Sequence, residues 1–326
     1  MRSSKKRDSR FIRVLKKDAK IFVAGHRGLV GSAIVRALRA RGCTNIVTKT
    51  RQELDLESQS AVNDFLAAEK PDWIVMAAAK VGGIGANSTY PADFIGLNLV
   101  MECNLIWGAH LAEVPNFCFL GSSCIYPRET KQPIPEEALL TGKPEPTNAP
   151  YAVAKIAGLV MCESIRKQHG RNYFTCMPPN VYGPGDNYDL QTSHVLPALI
   201  RKFHEAKIAG NTPVTCWGTG SPRREFLFSD DVASAIVFLM DHDNVPDMVN
   251  IGVGTSISIR ELAETVQRVI GHDGEIVWDS SKPDGFPEKT NDVGRLFGLG
   301  WRPQHSLEEG IGLAYQAYLE LNALAR

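Results

Sequence analysis

Apolar and polar positions along this chain fall into blocks of two alternating kinds. Short apolar runs occupy 19–25 (AKIFVAG), 45–50 (NIVTKT), 72–79 (DWIVMAAA), 116–123 (NFCFLGSS), 173–180 (YFTCMPPN) and 248–253. Between them the apolar residues recur at helical spacing: from the first run to about 41, over about 57–69, over about 92–113, over the segment that begins near Tyr151, and over 229–240. The short runs do not alternate with polar residues, so they predict strands covered on both faces. Strand and helix in regular succession predict an α/β chain with a doubly wound parallel sheet. Ser229 or Asp230 is the expected cap of the helix at 229–240. From 182 onward the rhythm breaks into a Gly/Pro/Asn/Asp loop at 183–189 and shorter mixed elements, as expected of a second, smaller unit.

Composition narrows the class. The 326 residues carry 36 Lys+Arg against 36 Asp+Glu, so nothing overall attracts nucleic acid or an anionic membrane. No apolar stretch is read as transmembrane. The seven cysteines are scattered and never stand as Cys-x-x-Cys, which points away from zinc or a disulfide framework and toward a reducing, cytoplasmic setting. No metal site is expected. The first twenty residues hold nine Lys/Arg and lack an apolar segment of signal-peptide type, so 1–18 is expected to be a basic, disordered extension.

Directly after the first strand, Gly25-His26-Arg27-Gly28-Leu29-Val30-Gly31 places three glycines at Gly-x-x-Gly-x-x-Gly spacing and opens a helix. Glycines let the backbone turn tightly and approach a pyrophosphate, which rests on amide groups at the helix N-terminus. This is a dinucleotide loop of Rossmann type. The second strand ends in Lys49-Thr50-Arg51, with no acid before Glu53. A carboxylate there would bond a ribose 2′-hydroxyl, whereas Arg51, aided by Arg27, suits a 2′-phosphate, so NADP(H) is the expected cofactor.

Tyr151 and Lys155 stand four apart in NAPYAVAKIAG (148–158), on one face of a helix. A tyrosine titrates near 10, and moving it to about 7 means favouring the phenolate by roughly 4 kcal/mol. The adjacent ammonium is expected to supply part of that shift. Such a phenol can exchange a proton with a carbonyl oxygen during hydride transfer. The fourth strand ends in GSSCIYP (121–127), where strand ends face the ligand crevice, and Ser122 is the hydroxyl expected to polarise the carbonyl alongside Tyr151.

Together GHRGLVG, LGSSCIYP and YAVAK resemble the extended short-chain dehydrogenase/reductases. The segments AKVGGIGANSTYPADFI (79–95), PNVYGPGDNYD (179–189), SHVLPALIRKFHEA (193–206), WGTGSPRREFL (217–227) and WDSSKPDG (278–285) resemble, more narrowly, the GDP-L-fucose synthase family. That resemblance implies NADPH-dependent 3,5-epimerisation and 4-reduction of GDP-4-keto-6-deoxy-D-mannose. It implies Cys124 as the base and His194 as the acid of epimerisation, and Asn98, Pro178, Asn180, Val181 and His194 beside the cofactor. For the sugar nucleotide it implies Lys202, Trp217, Arg224 and Asp284. The expected division is 19–181 with 226–254 for the cofactor and 182–225 with 255–326 for substrate. A homodimer through 92–113 and 150–169 is also expected. Pro179, Phe228 and Glu288 depart from the family pattern of threonine, histidine and arginine, and Glu288 would weaken a diphosphate contact. Two other readings fit the same loops: an epimerase or dehydratase that recycles its hydride, and a catalytically silent NADP-binding regulator.

Overall fold

The computed structural model describes residues 15–282, 284–285 and 287–324. Its centre is a six-stranded parallel sheet made of β1 (Ile21–Ala24), β2 (Ile46–Val47), β3 (Trp73–Met76), β4 (Asn116–Leu120), β5 (Asn172–Met177) and, later in the chain, β10 (Met248–Asn250). The spatial order is β10-β5-β4-β3-β1-β2. The chain therefore reverses direction across the sheet between β1 and β3, and the crevice at the carboxyl ends of those strands is where such sheets receive ligands.

Helices cover both faces. On one side lie α1 (Leu29–Ala40) and α7 (Ser229–Met240), and on the other α2 (Gln59–Glu69), α4 (Pro91–Leu111) and α5 (Ala149–His169). A short α3 (Ile84–Thr89), not anticipated from sequence, precedes α4. The sequence of β1 shows how two cores arise from one strand. Ile21 and Val23 enter the α1/α7 core while Phe22 and Ala24 enter the other, because successive side chains point to opposite faces.

The remaining elements are β6 (Asn180–Tyr182), α6 (Val195–Ile208), β7 (Val214–Trp217), β8 (Arg223–Arg224), β9 (Phe226–Phe228), β11 (Ile257–Ser258), α8 (Ile259–Ile270), β12 (Ile276–Asp279), β13 (Glu288–Lys289), α9 (Gly294–Gly298) and α10 (Leu307–Leu324). They build a third core from Leu196, Ile200, Phe203, Leu262, Val266 and Ile311, which Phe226 and Phe228 join. Leu296 and Trp301 return to the α1/α7 core.

Three expectations need correction. Residues 1–14 of the basic extension lie outside the described residues, but Leu15 is buried and its amide donates to the Met240 carbonyl, so the docked chain starts before 19. The N-cap of α7 is Phe228, with no side-chain cap; Ser229 is already the first helical residue. Helix α4 is long and apolar enough to cross a membrane, contrary to the reading of the apolar runs; here Phe94, Leu105, Ile106 and Ala109 are buried against the sheet.

Candidate active site

The glycine turn is fitted to β3 by close backbone approach. Gly25 has φ +83°, and a Cβ there would come within 2.7 Å of the Ala78 amide nitrogen. A Cβ on Gly31 would lie 2.1 Å from the Gly25 carbonyl oxygen. Larger residues at either position would force the turn and α1 apart. Gly28 caps α1 without a side-chain hydrogen bond, and the first turn carries no acid. The helix N-terminus thus keeps amide donors and a positive end of the dipole for an anion. Val30 packs on the α1/α7 core, and the Leu29 carbonyl accepts the Ser32 hydroxyl, which fixes the turn from behind.

Beside it opens a cleft of about 480 Å³ lined by Arg27, Thr50, Arg51, Gln52 and Asp55. Glu53, the first acid after β2, turns back to accept the Thr50 amide and hydroxyl, both at 2.7 Å. Those bonds hold its carboxyl below the usual range. Arg51 is largely exposed and pairs with Glu57 at 2.6 Å. The cleft is lined by two guanidinium groups, one of them paired with Glu57, and by the Asp55 carboxylate, while Glu53 is turned back onto Thr50. Both features, the glycine cradle and this cleft, fit an adenine dinucleotide.

The chemical groups meet where β4 ends and α5 begins. Ser122 caps the short 3-10 turn Ser123–Ile125 by accepting the Cys124 amide at 3.2 Å, and its hydroxyl lies near enough to the Tyr151 phenol to favour the phenolate. Tyr151 sits in the first turn of α5, its ring edge-on to buried Phe94 at 6.3 Å. Cys124 is close enough to interact electrostatically with both Tyr151 and Arg224. Ser122, Cys124 and Tyr151 thus lie near one another, with Arg224 near Cys124.

Lys155 behaves differently from the expectation. Its ammonium is buried, donating to the Leu120 carbonyl at 3.0 Å and pairing with buried Glu102 of α4 at 3.1 Å. It lies 4.6 Å from the centre of the Phe119 ring and 5.9 Å from that of Tyr151. The Tyr151 phenol is pushed well up, not down: burial dominates, Cys124 and Glu102 add to it, and only Ser122 opposes. The lysine's charge is largely compensated before it reaches the phenol. Glu102 was not singled out from sequence, because a helical glutamate carries no local sign of burial.

His194 precedes α6, and the residues just before it are held by Gly83. The Gly83 amide donates to Thr192, and a Cβ on Gly83 would come within 2.8 Å of the Ser193 carbonyl oxygen. The imidazole remains accessible, yet enough protein surrounds it to push its pKa below the ordinary value. Asn98 is buried, accepting from the Lys80 amide and donating to the Lys80 and Phe94 carbonyls. It pins the loop after β3. The Pro178 carbonyl accepts the Ser123 amide, and Asn180 donates to the Glu225 carbonyl, so 178–180 buttresses the serine turn; Val181 packs on the α1/α7 core.

On the far side lies a basic, aromatic wall. Trp217 is 65% exposed, with the ammonium groups of Lys202 at 5.9 Å and Lys282 at 5.7 Å from its ring. Lys202 is oriented by the Thr215 carbonyl. Asp284 accepts the Thr219 amide and hydroxyl, which fastens its segment to the turn after Trp217. Lys289 pairs in register with Arg224. Lys282 and Lys289 were not singled out from sequence, although Lys282 lies inside the quoted WDSSKPDG and Lys289 a few residues after it. Glu288 is engaged by Ser256 and Thr290, and Phe228 packs between Tyr182 and His305. Neither departure therefore places an unengaged group in the pocket.

Comparison with known proteins agrees with this site. The model of the "NAD dependent epimerase/dehydratase family" matches residues 21–252. GDP-L-fucose synthase 1 of Arabidopsis thaliana is 56% identical over 93% of this chain and 94% of its own length. GDP-L-fucose synthase of Escherichia coli (strain K12) is 51% identical over 92% and 97%. Among solved structures, a GDP-L-fucose synthetase from Naegleria fowleri bound to NADP superposes with a TM-score of 0.88 at 26% identity, covering 99% of both chains. The chain belongs to the NAD dependent epimerase/dehydratase family and, within it, to the GDP-L-fucose synthases.

Proposed function

We propose that this protein converts GDP-4-keto-6-deoxy-D-mannose to GDP-L-fucose by epimerisation at C3 and C5 followed by NADPH-dependent reduction at C4. The observation that carries this reading is the proximity of Ser122, Cys124 and Tyr151, with Arg224 near Cys124. Residues 19–181 and 226–254 would hold the cofactor, with the glycine turn on the pyrophosphate and Arg27 and Arg51 on the 2′-phosphate. Residues 182–225 and 255–326 would hold the sugar nucleotide, with Arg224 and Lys202 on the diphosphate side, Trp217 offering a flat face and Asp284 keeping the wall in place.

The chemistry follows from one carbonyl. Hydrogen bonds from Ser122 and Tyr151 to O4 withdraw charge and stabilise the enolate that forms when a proton leaves C3 or C5. Cys124 removes that proton and His194 returns one to the opposite face. NADPH, when bound, supplies hydride to C4. Tyr151 then releases its proton to the resulting alkoxide, and Lys155 stabilises the phenolate left behind. A phenol that stays protonated in the resting site is suited to this donor role.

A homodimer through α4 and α5 fits the exposed apolar residues Val100, Trp107 and Leu111 on one helix and Val153 and Val160 on the other. Val100 and Trp107, like Val153 and Val160, are seven apart and so share a helix face. All seven cysteines are unpaired, including Cys118 and Cys176 at 3.9 Å, as suits a reducing cytoplasm.

The test is purified protein with NADPH and GDP-4-keto-6-deoxy-D-mannose. One NADPH should be consumed per GDP-fucose formed. Turnover of the sugar without net NADPH consumption would replace this reading with hydride recycling.

A further inference from the structure

The buried carboxylate of Glu102 has no role in the steps above, yet it touches the catalytic lysine. Its side chain and that of Lys155 are each only 2% exposed, with oxygen and nitrogen 3.1 Å apart. Space around it is closed: a Cβ on Gly158 of α5 would meet Glu102 at 2.9 Å and the Phe119 ring at 2.6 Å. Apart from this ion pair, neither carboxylate oxygen has a hydrogen-bond partner. A half-satisfied buried charge is costly to keep, and an apolar residue of similar size would pack α4 on α5 at least as well. The titratable groups facing Glu102 are Lys155, Tyr151 and Cys162 on α5, with Cys103 beside it on α4.

We propose that Glu102 is a positioning residue for the reduction: by pairing with Lys155 it keeps Tyr151 a proton donor and biases the site toward reducing a carbonyl over oxidising an alcohol. The inference rests on Tyr151 being the donor to O4. An enzyme that oxidises alcohols needs a phenolate ready to accept a proton, and an unopposed ammonium beside the tyrosine would provide one. Here the opposite is needed twice. During epimerisation a neutral phenol can hydrogen-bond the enolate oxygen while Cys124 acts as base, and during reduction it must have a proton to give. Glu102 offsets part of the lysine's field at the phenol and ties the ammonium between α4 and the Leu120 carbonyl.

The experiment is the pH dependence of kcat for NADPH consumption in wild type, Glu102→Gln and Glu102→Asp. Glutamine keeps the shape but removes the charge, so the alkaline limb, where Tyr151 loses its proton, should move down by about one pH unit. Aspartate keeps the charge, and its limb should stay near that of wild type even if kcat falls. A Glu102→Gln enzyme whose kcat falls with the limb unmoved would reduce Glu102 to packing and overturn the proposal. Should Glu102→Gln fail to fold, the wild-type protein still decides. Tyrosine labelled with ¹³C at Cζ, with Tyr151 assigned by Tyr151→Phe, should show no ionisation of Tyr151 below about pH 9. A midpoint near neutrality would overturn the proposal. If wild type consumed no NADPH with this keto sugar, the proposed reaction would fail, while the tyrosine titration would still judge the Glu102 pairing.

Discussion

The two sides of the pocket are built on opposite electrostatic terms. At the floor, Lys155 is buried and already paired with Glu102, and Ser122 is already held by the Cys124 amide. At the wall, Trp217 is largely exposed between two ammonium groups, and Lys202 touches a backbone carbonyl and the indole. Proton transfer needs groups held in fixed positions with their charges set in advance, because reorganisation during the reaction adds to the barrier. Recognition of a diphosphate needs unneutralised cations that water can leave. The floor is therefore rigid and compensated, and the wall is open. Substitutions at the floor should remove chemistry or stability, whereas substitutions at the wall should change affinity.

The largest expected effect is at the centre of the floor. Tyr151→Phe removes the proton donor while keeping the ring against Phe94. Reduction should fall by about 10²–10⁴-fold, with NADPH affinity unchanged by fluorescence titration. Undiminished turnover would break the distinction, since the floor would then contribute shape alone.

Lys155→Met sharpens it further. Removing one member of a buried ion pair leaves the other charge uncompensated, at a typical cost of about 3–5 kcal/mol, read from denaturant unfolding. Pairing it with Glu102→Gln should recover much of that stability and none of the reduction. A single variant as stable as wild type would show that Glu102 is held by something other than the lysine.

These effects mark what could and could not be read from the chain. Gly25, Gly31 and the six strands were legible because their signals are local: a spacing, a run, a turn that only glycine permits. Tyr151 and Lys155 were legible as a pair, but the sign of the tyrosine's shift was not. That sign is set first by burial of the phenol, and Glu102 adds to it; this glutamate is 53 positions before Lys155 and resembles any solvent-facing helical glutamate until α5 packs on α4. Asn98 shows the same limit in milder form. Its amide is bonded to Lys80 and Phe94, so it shapes the loop after β3. Lys282 and Lys289 stand in loop and edge-strand segments whose neighbours are set only by tertiary folding.

His194 lies between the two regimes, accessible like the wall yet shifted like the floor. Its imidazole should titrate below the ordinary value of about 6.5, since surrounding protein disfavours the cation. Above that midpoint the protonated fraction falls about tenfold per pH unit, so the unliganded enzyme holds this group neutral at pH 7. The Cε1 proton resonance, assigned with His194→Asn, would report the midpoint. Adding GDP should raise it, because a nearby diphosphate favours the imidazolium. A midpoint at or above the ordinary value in the unliganded protein would move His194 into the open regime of the wall.

The smallest effect belongs to Trp217. Its indole contributes area and an electron-rich face to Lys202 and Lys282, at 5.9 and 5.7 Å, and exposed cation–π contacts of this kind are worth about 0.5–1 kcal/mol. Truncation to alanine removes no buried partner, so folding stability should stay within about 0.5 kcal/mol of wild type. The two lysines keep their charge, and long-range attraction of a diphosphate persists. What is lost is the flat surface and the restraint on the lysine side chains, which act on substrate and transition state alike. Uniform binding of that sort appears in KM and leaves kcat unchanged. Trp217→Ala should therefore raise KM for the GDP-sugar by about three- to tenfold, with KM for NADPH unmoved. A fall in kcat at saturating sugar would show that the indole aligns the keto group over Tyr151, and the wall would then share in the chemistry of the floor.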